Sequence, residues 1–332
     1  MTFRAIFLIL STGLMTMADE PTQPADSGQE ASEERARYPG GVPTLGGRQF
    51  WGDVCFFRGW RIQQNVLRGH YRLLDPADHR HESGTLDQCR SRLDQIRRAE
   101  SLPPMSGKAV ILIHGLGRSS RSFFGMAKVL RAEGYIVVGF DYPSTRVPIQ
   151  TSAEYLHSVL QSLEGIDQID VVCHSMGGLL LRAFLMQQQE PRFHRAVMLG
   201  VPNQGAQMAD FLKNNVLFKA VLGPAGQQLV TDQAGLISQL PVPDMPFGVI
   251  AGGRSGSKGY NPILPGDNDS TVTVASTRLP GATDFIVFPV IHSLLMNDSR
   301  CIEATRHFLR HGKFAADRDA EPVPKSDITV IQ

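Results

Sequence analysis

Short apolar segments alternate with amphipathic segments along most of the chain, and this alternation constrains the fold more than any other feature. Apolar runs of strand length lie at 109–113, 135–140, 169–173, 196–199, 246–251 and 285–290. Segments with apolar residues near helical spacing flank or separate them, at 86–99, 122–133, 152–163, 176–188 and 300–310. This pattern predicts an α/β fold with a mostly parallel central sheet that is covered by helices on both faces. Ligands of such sheets bind beyond the carboxyl ends of the strands.

The two ends of the chain differ from this pattern. Residues 1–18 carry Arg4 ahead of an apolar run that is too short to cross a bilayer comfortably. The run has the length of a signal-peptide core, so a cleaved signal or an N-terminal anchor is predicted, and with either of them export. Residues 19–47 are rich in Pro, Gly, Ser, Gln and Glu and predict a disordered tether. Residues 316–332 predict a similarly loose tail.

The folded domain is then expected to span residues 48–315. At its start, aromatic and β-branched residues at 53–60 and 61–74 predict a pair of strands. A segment from about 206 to 243 is longer than a simple crossover and is rich in Leu, Gln and Gly. We expect it to form a small cap insertion that partly covers the site.

Charge and cysteine content limit the partners of the chain. A formal net charge of +1 gives no reason to expect nucleic acid. Four cysteines in an exported chain permit disulfides, and Cys55 with Cys89 is one candidate pair. Cys173 lies inside an apolar strand and is better explained as a small core residue. The sequence has neither the His-Glu-x-x-His pattern of zinc sites nor the Lys-Ser/Thr of a phosphate-binding loop, so no metal or cofactor is expected.

A candidate nucleophile lies at the turn between a strand and a helix. Residues 169–179 read IDVVCHSMGGL, with Ser175 at the turn. A sharp turn at this position would expose the serine hydroxyl above the sheet, and it requires small residues two positions away on either side. Gly177 meets this requirement, whereas Cys173 stands where Gly is usual. The alternative is an ordinary turn with a serine capping the helix.

A serine nucleophile needs a base and an acid to orient that base. His292 follows the last predicted strand and precedes the closing helix, which is the place of the base in such sheets. The acid should lie between the serine and the histidine, after the strand at 246–251. Asp269 and Asp267 are both candidates there, and Asp141 and Asp244 are weaker ones.

A strand end at residues 113–117, with the sequence IHGLG, could bind the negative oxygen of a tetrahedral intermediate. The backbone N–H groups of Leu116 and Met176 are the expected donors. The same Gly-x-Gly loop resembles part of a dinucleotide-binding fingerprint, but its third glycine is missing. A nucleotide site would also leave Ser175, Asp269 and His292 unexplained.

Six stretches occur in the order that bacterial α/β-hydrolase lipases and esterases show: HGLGRSS, GFDYPS, VCHSMGG, MLGVPNQG, DNDSTVTV and HSLLMN. From residue 107 to 314 the chain therefore resembles this family, including its class 2 lipase-like members. The resemblance implies the α/β-hydrolase fold and a triad, with Asp269 preferred as the acid. It also implies a pocket formed by His114, Gly115, Gly117, Asn203 and Gln204. Ser270 stands where the family's acid motif has Gly.

The activity implied by the resemblance is hydrolysis of carboxylic esters, with a lipid or another acyl ester as substrate. Ser175 would form an acyl-enzyme, His292 would move the proton, and Asp269 would orient His292. Contact with a membrane surface is open for an exported enzyme of this kind. Two alternatives use the same fold: an acyltransferase with an acceptor other than water, and a non-catalytic module that binds lipid or protein.

Overall fold

The structure is a computed structural model that describes residues 42–44, 47–206, 223–229 and 235–325. The predicted signal segment and most of the predicted cap insertion lie outside the described residues. Within the described ranges, no helix combines the length and the apolar character that a membrane span requires.

A parallel sheet of six strands forms the centre of the larger part of the chain. Its strands are β6 (Gly107–Ile113), β7 (Ile136–Phe140), β8 (Ile166–His174), β9 (Phe193–Leu199), β10 (Phe247–Gly252) and β11 (Asp284–Phe288). They lie in the order β11-β10-β9-β8-β6-β7, and every neighbouring pair is parallel. The interior residues of β6 and β8 are fully buried, as expected for strands covered on both faces. The predicted parallel α/β sheet is confirmed.

Helices cover both faces of this sheet. The helices of the described residues are α1 (Leu86–Ala99), α2 (Phe124–Ala132), α3 (Ile149–Gln161), α4 (Met176–Gln187), α5 (Leu236–Gln239), α6 (Val274–Thr277) and α7 (Ser299–His311). Of these, α1 packs on the antiparallel sheet described below. The apolar residues of α3 and α4 belong to one hydrophobic cluster, and those of α2 and α7 belong to a second. The sheet therefore separates two apolar cores, and its carboxyl edge is left to the loops that carry the candidate site.

A second, antiparallel sheet precedes the parallel one. It contains β1 (Val42–Pro43), β2 (Trp51–Phe57), β3 (Trp60–Asn65), β4 (Tyr71–Leu74) and β5 (His79–Gly84), in the order β1-β5-β4-β3-β2. The sequence predicted two strands here. The second of them is divided into β3 and β4 because the Asn65 side chain accepts hydrogen bonds from the backbone N–H groups of Leu67 and Arg68 and closes a turn.

The antiparallel sheet packs on the parallel part of the chain through β2 and α3. The N–H of Phe56 donates a hydrogen bond of 2.9 Å to the Ser162 hydroxyl at the end of α3. Gly52 lies directly against the ring of Tyr155, where a Cβ would come within 2.6 Å of the ring. Phe56 and Trp60 belong to the same apolar cluster as α3 and α4. The two sheets therefore share one hydrophobic core.

The segments predicted to be disordered at the two ends of the chain both include residues that belong to the folded protein. Val42–Pro43 pairs with His79 and Arg80, although it falls within the predicted tether 19–47. At the other end, residues 316–325 pack along β11 instead of forming a loose tail. Val323 exchanges backbone hydrogen bonds with Gly281 and Ala282 and is buried.

The carboxylate of Asp284 explains why the C-terminal segment is ordered. This side chain is fully buried, and it accepts hydrogen bonds from the backbone N–H groups of Phe314 and Glu321 and from the Arg318 guanidinium. The composition of the C-terminal segment does not predict that it is ordered, because the carboxylate that holds it belongs to Asp284, some 30 residues earlier in the chain.

The described parts of the predicted insertion pack against α3 and α4. Ala206 donates its N–H to the Leu229 carbonyl at 2.8 Å, and the Gln228 side chain accepts the N–H of Ile149. Arg182 on α4 is buried and donates to the carbonyls of Leu240 and Pro241, and burial lowers its pKa to about 10. The sequence of the predicted insertion has apolar clusters at 211–222, which lie outside the described residues, and at Leu236–Ile237. In that second cluster Ile237 is buried in the core and Leu236 packs against it.

All four cysteines lie in the described part of the chain and all four are free. The candidate pairing of Cys55 with Cys89 is therefore not present. Cys173, Cys89 and Cys301 are fully buried among apolar side chains, which confirms the core role predicted for Cys173.

Candidate active site

Ser175 lies at a sharp turn between β8 and α4, and its backbone is strained. Its φ of 53° and ψ of −128° fall outside the regions that residues other than glycine normally adopt. The Ser175 N–H donates 2.9 Å to the carbonyl of Leu199 on the neighbouring strand, which holds the turn in place. Strain of this kind costs about 1–3 kcal/mol and persists only where the surrounding structure maintains it.

The residues on either side of the turn show how it is accommodated. A Cβ on Gly177 would come within 2.4 Å of the Ile113 carbonyl oxygen, so only glycine allows this approach of α4 to β6. Cys173, where glycine is usual, is fully buried, and its thiol lies 3.5 Å from the Val197 carbonyl. The side chain fits between β8 and β9, and the turn forms without a glycine at this position.

His292 and Asp269 meet at the carboxyl edge of the sheet, beyond β10 and β11. The Nδ1 of His292 lies 2.6 Å from Oδ2 of Asp269, and the His292 N–H donates 2.8 Å to the Asp269 carbonyl. The other carboxylate oxygen, Oδ1, accepts the N–H groups of Thr271 and Val272. Asp269 is fully buried, and both of its carboxylate oxygens are occupied.

Asp267, the other candidate acid, points into its own loop. Its two carboxylate oxygens accept the N–H groups of Arg254 and Ser255, at 2.7 and 2.9 Å. These bonds stabilise the loop that contains Asp267. Of the two candidate acids, Asp269 is the one that contacts His292.

Ser270 replaces the glycine of the family's acid motif and adopts the conformation that favours glycine. Its φ is 88°, in the left-handed region. Its N–H donates to the Asn268 side chain and its carbonyl accepts from Asn261. The substitution is therefore tolerated with the acid loop still formed, at the cost of backbone strain.

His174 precedes Ser175 and lies against His292. Its Nε2 is 3.0 Å from the His292 carbonyl, and the two ring centroids are 4.6 Å apart. Burial holds the pKa of His174 well below its usual value, so the ring is neutral and Nε2 carries the donated proton. This contact ties the end of β8 to the loop that carries His292.

The loop after β6 lies beside Ser175. A Cβ on Gly115 would be 3.0 Å from the Ser175 Cβ, so this loop passes directly next to the serine. Arg118 donates its N–H to the Gly115 carbonyl, which closes the turn 115–118 that contains Leu116. Met176, the other expected donor, is the first residue of α4 and is buried directly after Ser175. We call residues 115–118, which contain the predicted oxyanion donor Leu116, the oxyanion loop.

Three of the predicted pocket side chains stack on or hydrogen-bond to other residues of the protein. His114 is buried and stacks on Tyr142 at 4.3 Å between ring centroids. Asn203 is buried between Arg182 and the Thr277 carbonyl. Gln204 donates to the Arg278 carbonyl. These bonds hold the loop after β9 against α6, and the lining role of these residues stays a prediction.

A buried charged cluster, which the sequence did not predict as a unit, connects the antiparallel sheet to the site. Arg61 on β3 contacts Asp141 at the end of β7, at 2.7 Å. Asp53 on β2 accepts the Asp141 N–H, and Asp141 in turn accepts the Ser120 N–H, just beyond the oxyanion loop.

The pKa values of the two acids in this cluster are shifted in opposite directions. Burial raises the pKa of Asp53 to about 7, against the attraction of Arg61. Burial would also raise the pKa of Asp141, but the charges of Arg61 and His114, together with Arg48, lower it to about 2. Arg61 contacts the Asp141 carboxylate directly, so Asp141 is the acid that keeps its charge.

Sequence reasoning missed Gly200, which follows β9. Its φ is +57°, and a Cβ there would come 3.1 Å from His292 Nδ1 and 3.2 Å from Asp269 Oδ2. A glycine directly after a buried strand was the available signal. Sequence reasoning also missed Gln49 and Ser144, which contact the oxyanion loop from other parts of the chain. Within the described ranges, no group of three or more His, Cys, Asp or Glu side chains is arranged to hold a metal ion.

Part of the chain matches a known family model. A family model described as a domain of unknown function (DUF7379) matches residues 78–239, a stretch that includes Ser175 but ends before Asp269 and His292. The comparison with curated proteins gives no significant match.

Two solved structures of a Bacillus licheniformis lipase, BlEst2, resemble this chain. The propeptide form is 21% identical, with a TM-score of 0.51, and the match covers 67% of this chain and 54% of that one. The mature form is 22% identical, with a TM-score of 0.49, and covers 63% and 94%. A metagenomic carboxyl esterase, MGS0156, is 16% identical over 57% of this chain and 66% of that chain, with a TM-score of 0.45.

The parallel six-stranded sheet, the helices on both of its faces and the likeness to the propeptide form define the class of this protein. It has the α/β-hydrolase fold, as the resemblance in its sequence predicted. An antiparallel sheet of five strands precedes this fold in the chain.

Proposed function

We propose that the protein is a serine hydrolase that cleaves carboxylic esters through an acyl-enzyme. The observation that carries the proposal is the 2.6 Å contact between His292 Nδ1 and Asp269 Oδ2, on the same edge of the sheet as the strained Ser175. A serine is a weak nucleophile alone, and an oriented histidine supplies the base that it needs.

In this mechanism the Ser175 hydroxyl attacks the ester carbonyl while its proton passes to Nε2 of His292. The Asp269 carboxylate accepts a hydrogen bond from the Nδ1–H of His292, which keeps Nε2 available as the base and stabilises the imidazolium that forms. The N–H groups of Leu116 and Met176 donate to the oxyanion. His292 then returns the proton to the leaving alcohol, and water releases the acid by the same steps in the second half of the reaction.

Labelling with a fluorophosphonate probe tests the nucleophile. The wild type should react covalently, and Ser175→Ala should abolish the labelling while the protein remains folded. Ser255→Ala is the matched control, because Ser255 also has a positive φ, of 56°, but lies on an exposed loop. Full labelling of folded Ser175→Ala protein would refute the assignment, and an unlabelled wild type would favour a non-catalytic binding module.

The proposed substrate is an acyl ester or lipid, with an acyl chain received by the apolar insertion. The apolar clusters between 211 and 222 support this assignment by composition. Each buried CH₂ should contribute about 0.8 kcal/mol, so kcat/KM for nitrophenyl esters should rise up to about tenfold for every two carbons until the pocket is full. A preference for acetyl over hexanoyl esters would exclude a lipid-sized pocket and leave the serine hydrolase proposal standing.

The apolar segment at 1–18 supports export of this enzyme, and a lipid substrate would bring it to a membrane surface. Expression of the full chain in a bacterium, followed by cell fractionation, tests the proposal. The protein should appear outside the cytoplasm, and a chain beginning after residue 18 should remain inside it. Equal cytoplasmic amounts of both forms would refute export through this segment.

A further inference from the structure

The side chain of Gln49 contacts the oxyanion loop from the antiparallel sheet. Gln49 lies on the 3₁₀ helix Arg48–Phe50, directly before β2. Its Nε2 donates 3.0 Å to the carbonyl of Arg118, the last residue of the oxyanion loop. Its Oε1 accepts the hydroxyls of Ser144 and Thr145, at 2.9 and 3.2 Å.

Ser144 completes a closed network of hydrogen bonds around Leu116. The Ser144 hydroxyl oxygen accepts the Gly117 N–H at 2.9 Å, so its proton is free to be donated to Gln49. The Arg118 carbonyl can only accept, which requires the Gln49 nitrogen on that side. The amide of Gln49 therefore has one orientation that satisfies all of its partners.

This network fixes the backbone on the carboxyl side of Leu116. Gly117 is held through its N–H and Arg118 through its carbonyl, while Gly115 is pressed against Ser175 on the other side. Ser144 is fully buried, so the network is protected from water. The Leu116 N–H shares its peptide plane with the Gly115 carbonyl, which accepts the Arg118 N–H at 3.3 Å. The bonds to Gly117 and Arg118 therefore act on the direction of the Leu116 N–H through this turn.

The 3₁₀ helix is itself anchored in the antiparallel sheet. Phe50 accepts the N–H of Val66, which follows β3, and Arg48 contacts the carboxylate of Asp78 at 2.9 Å. Asp78 also binds Arg61 on β3 and Arg121 beyond the oxyanion loop. The 3₁₀ helix that carries Gln49 is therefore anchored in the antiparallel sheet.

We infer that Gln49 is a positioning residue for the oxyanion hole, through which the antiparallel sheet sets the direction of the Leu116 N–H. This inference rests on the proposed function. Gln49 does not touch the reacting atoms in this role, and it acts through Gly117, Arg118 and Ser144. A donor aimed at the oxyanion acts in the transition state and not on the ground-state ester, so the effect should fall on kcat.

The test compares Gln49→Met and Gln49→Glu with the wild type on a nitrophenyl ester. Methionine has a similar length without hydrogen bonds, and glutamate keeps the acceptors but loses the donor to Arg118. Outright loss of an oxyanion donor costs about 10²–10³ in kcat, so a misdirected donor should cost about tenfold. KM should stay within about twofold, because substrate binding is not altered.

A trifluoromethyl ketone gives a second measurement, since its adduct with the serine carries the oxyanion. Its affinity should fall by the same factor as kcat/KM in the Gln49 variants. Ser144→Ala should lower kcat and the inhibitor affinity in the same way. In the double variant Ser144→Ala with Gln49→Met, the loss in kcat should be smaller than the product of the two single losses, because both exchanges interrupt one network. Gln64→Met, on β3 of the same sheet, is the matched control and should keep wild-type kcat and inhibitor affinity.

A folded Gln49→Met variant with wild-type kcat and inhibitor affinity would overturn the inference, and so would an equal loss in Gln64→Met. If neither Gln49 variant folds, an unchanged kcat in Ser144→Ala overturns it. Where the wild type hydrolyses esters and Ser175 is labelled, such a result refutes the role of Gln49 alone. A wild type without labelling refutes the proposed function, and the inference falls with it.

Discussion

His292 is bonded to Asp269 twice, once through its side chain and once through its backbone. Nδ1 of His292 lies 2.6 Å from Oδ2 of Asp269, and the His292 N–H donates 2.8 Å to the Asp269 carbonyl. The backbone bond joins the loops that follow β10 and β11 at these two residues. The side-chain contact is therefore part of how the loops pack, and the geometry of the pair is set before any ligand binds.

Exchange of each candidate acid to asparagine should separate their roles. In Asp269→Asn the oxygen that accepts from Thr271 and Val272 can remain, while the new NH₂ group faces Nδ1 and forces the wrong histidine tautomer. We expect kcat to fall by about 10⁴, by analogy with the same exchange in a serine protease, with the fold retained. Asp267→Asn should change turnover little, and steady-state kinetics of both variants checks the ranking. A larger loss in Asp267→Asn would move the acid to that residue.

Gly200→Ala should disturb the acid–base pair directly. The added Cβ would lie 3.1 Å from His292 Nδ1 and 2.8 Å from the Leu295 side chain, on a backbone with φ of +57°. Displacement of His292 by a fraction of an ångström should lower kcat by about 10- to 100-fold. Gly266→Ala is the matched control, because its φ is +63° and nothing lies within 4 Å of the new Cβ. Both variants should lose stability from backbone strain, and an equal effect of the two on kcat would contradict the contact argument.

Ser270→Gly should stabilise the protein. Ser270 has a φ of 88°, a conformation that costs about 1–2 kcal/mol for a residue with a Cβ. Glycine removes this cost but adds flexibility to the unfolded chain, so the net gain should be up to about 1 kcal/mol in the free energy of unfolding. Urea unfolding measures it, and Ser270→Ala, which keeps the strain, should show no gain. A less stable glycine variant would show that the serine side chain itself contributes to the loop.

Because the pKa of Asp53 is raised in the folded protein, the free energy of unfolding should fall as the pH rises from about 4 to about 7. Its pKa is about 3.8 unfolded and about 7 in the folded protein, so across this window the unfolded chain releases a proton that the folded protein keeps. Asp53 alone lowers the free energy of unfolding by at most about 1.4 kcal/mol per pH unit in this window. Above about pH 7 its contribution no longer changes with pH. Asp141, whose pKa is lowered to about 2, acts with the opposite sign and below this window.

Unfolding free energies of the wild type and Asp53→Asn across this pH range test the assignment. The difference in stability between the two proteins should shift in favour of Asp53→Asn as the pH rises to about 7 and then stay constant. Asp94→Asn, on the exposed face of α1, is the control for removing one carboxylate. Parallel pH profiles of wild type and Asp53→Asn would contradict a protonated Asp53 in the folded protein.

Local pattern in the sequence was sufficient for the order of strands and helices in the parallel sheet. Apolar period and length define elements such as β8 and α4, because burial on both faces leaves a continuous apolar run that no distant residue needs to supply. Ser175 and His292 could be selected from such local context, since each follows a predicted strand. Asp269 and Asp267 could not be separated by local pattern, because both lie in the same polar loop and only the packing of that loop against β11 decides which carboxylate meets His292.

The remaining features depend on contacts between residues that are far apart in the chain. Gln49 lies 95 positions before Ser144, and Asp284 lies 30 before Phe314, and in neither case does the neighbouring sequence indicate the partner. The side chain of Asn203 accepts a hydrogen bond from the buried guanidinium of Arg182 and donates to the Thr277 carbonyl, and no nearby sequence pattern indicates either partner. The sequence by itself determined the α/β elements, their order and the chemistry at the strand ends. Only the tertiary structure decided which polar groups pair, because a buried hydrogen bond requires a partner in space and not a pattern along the chain.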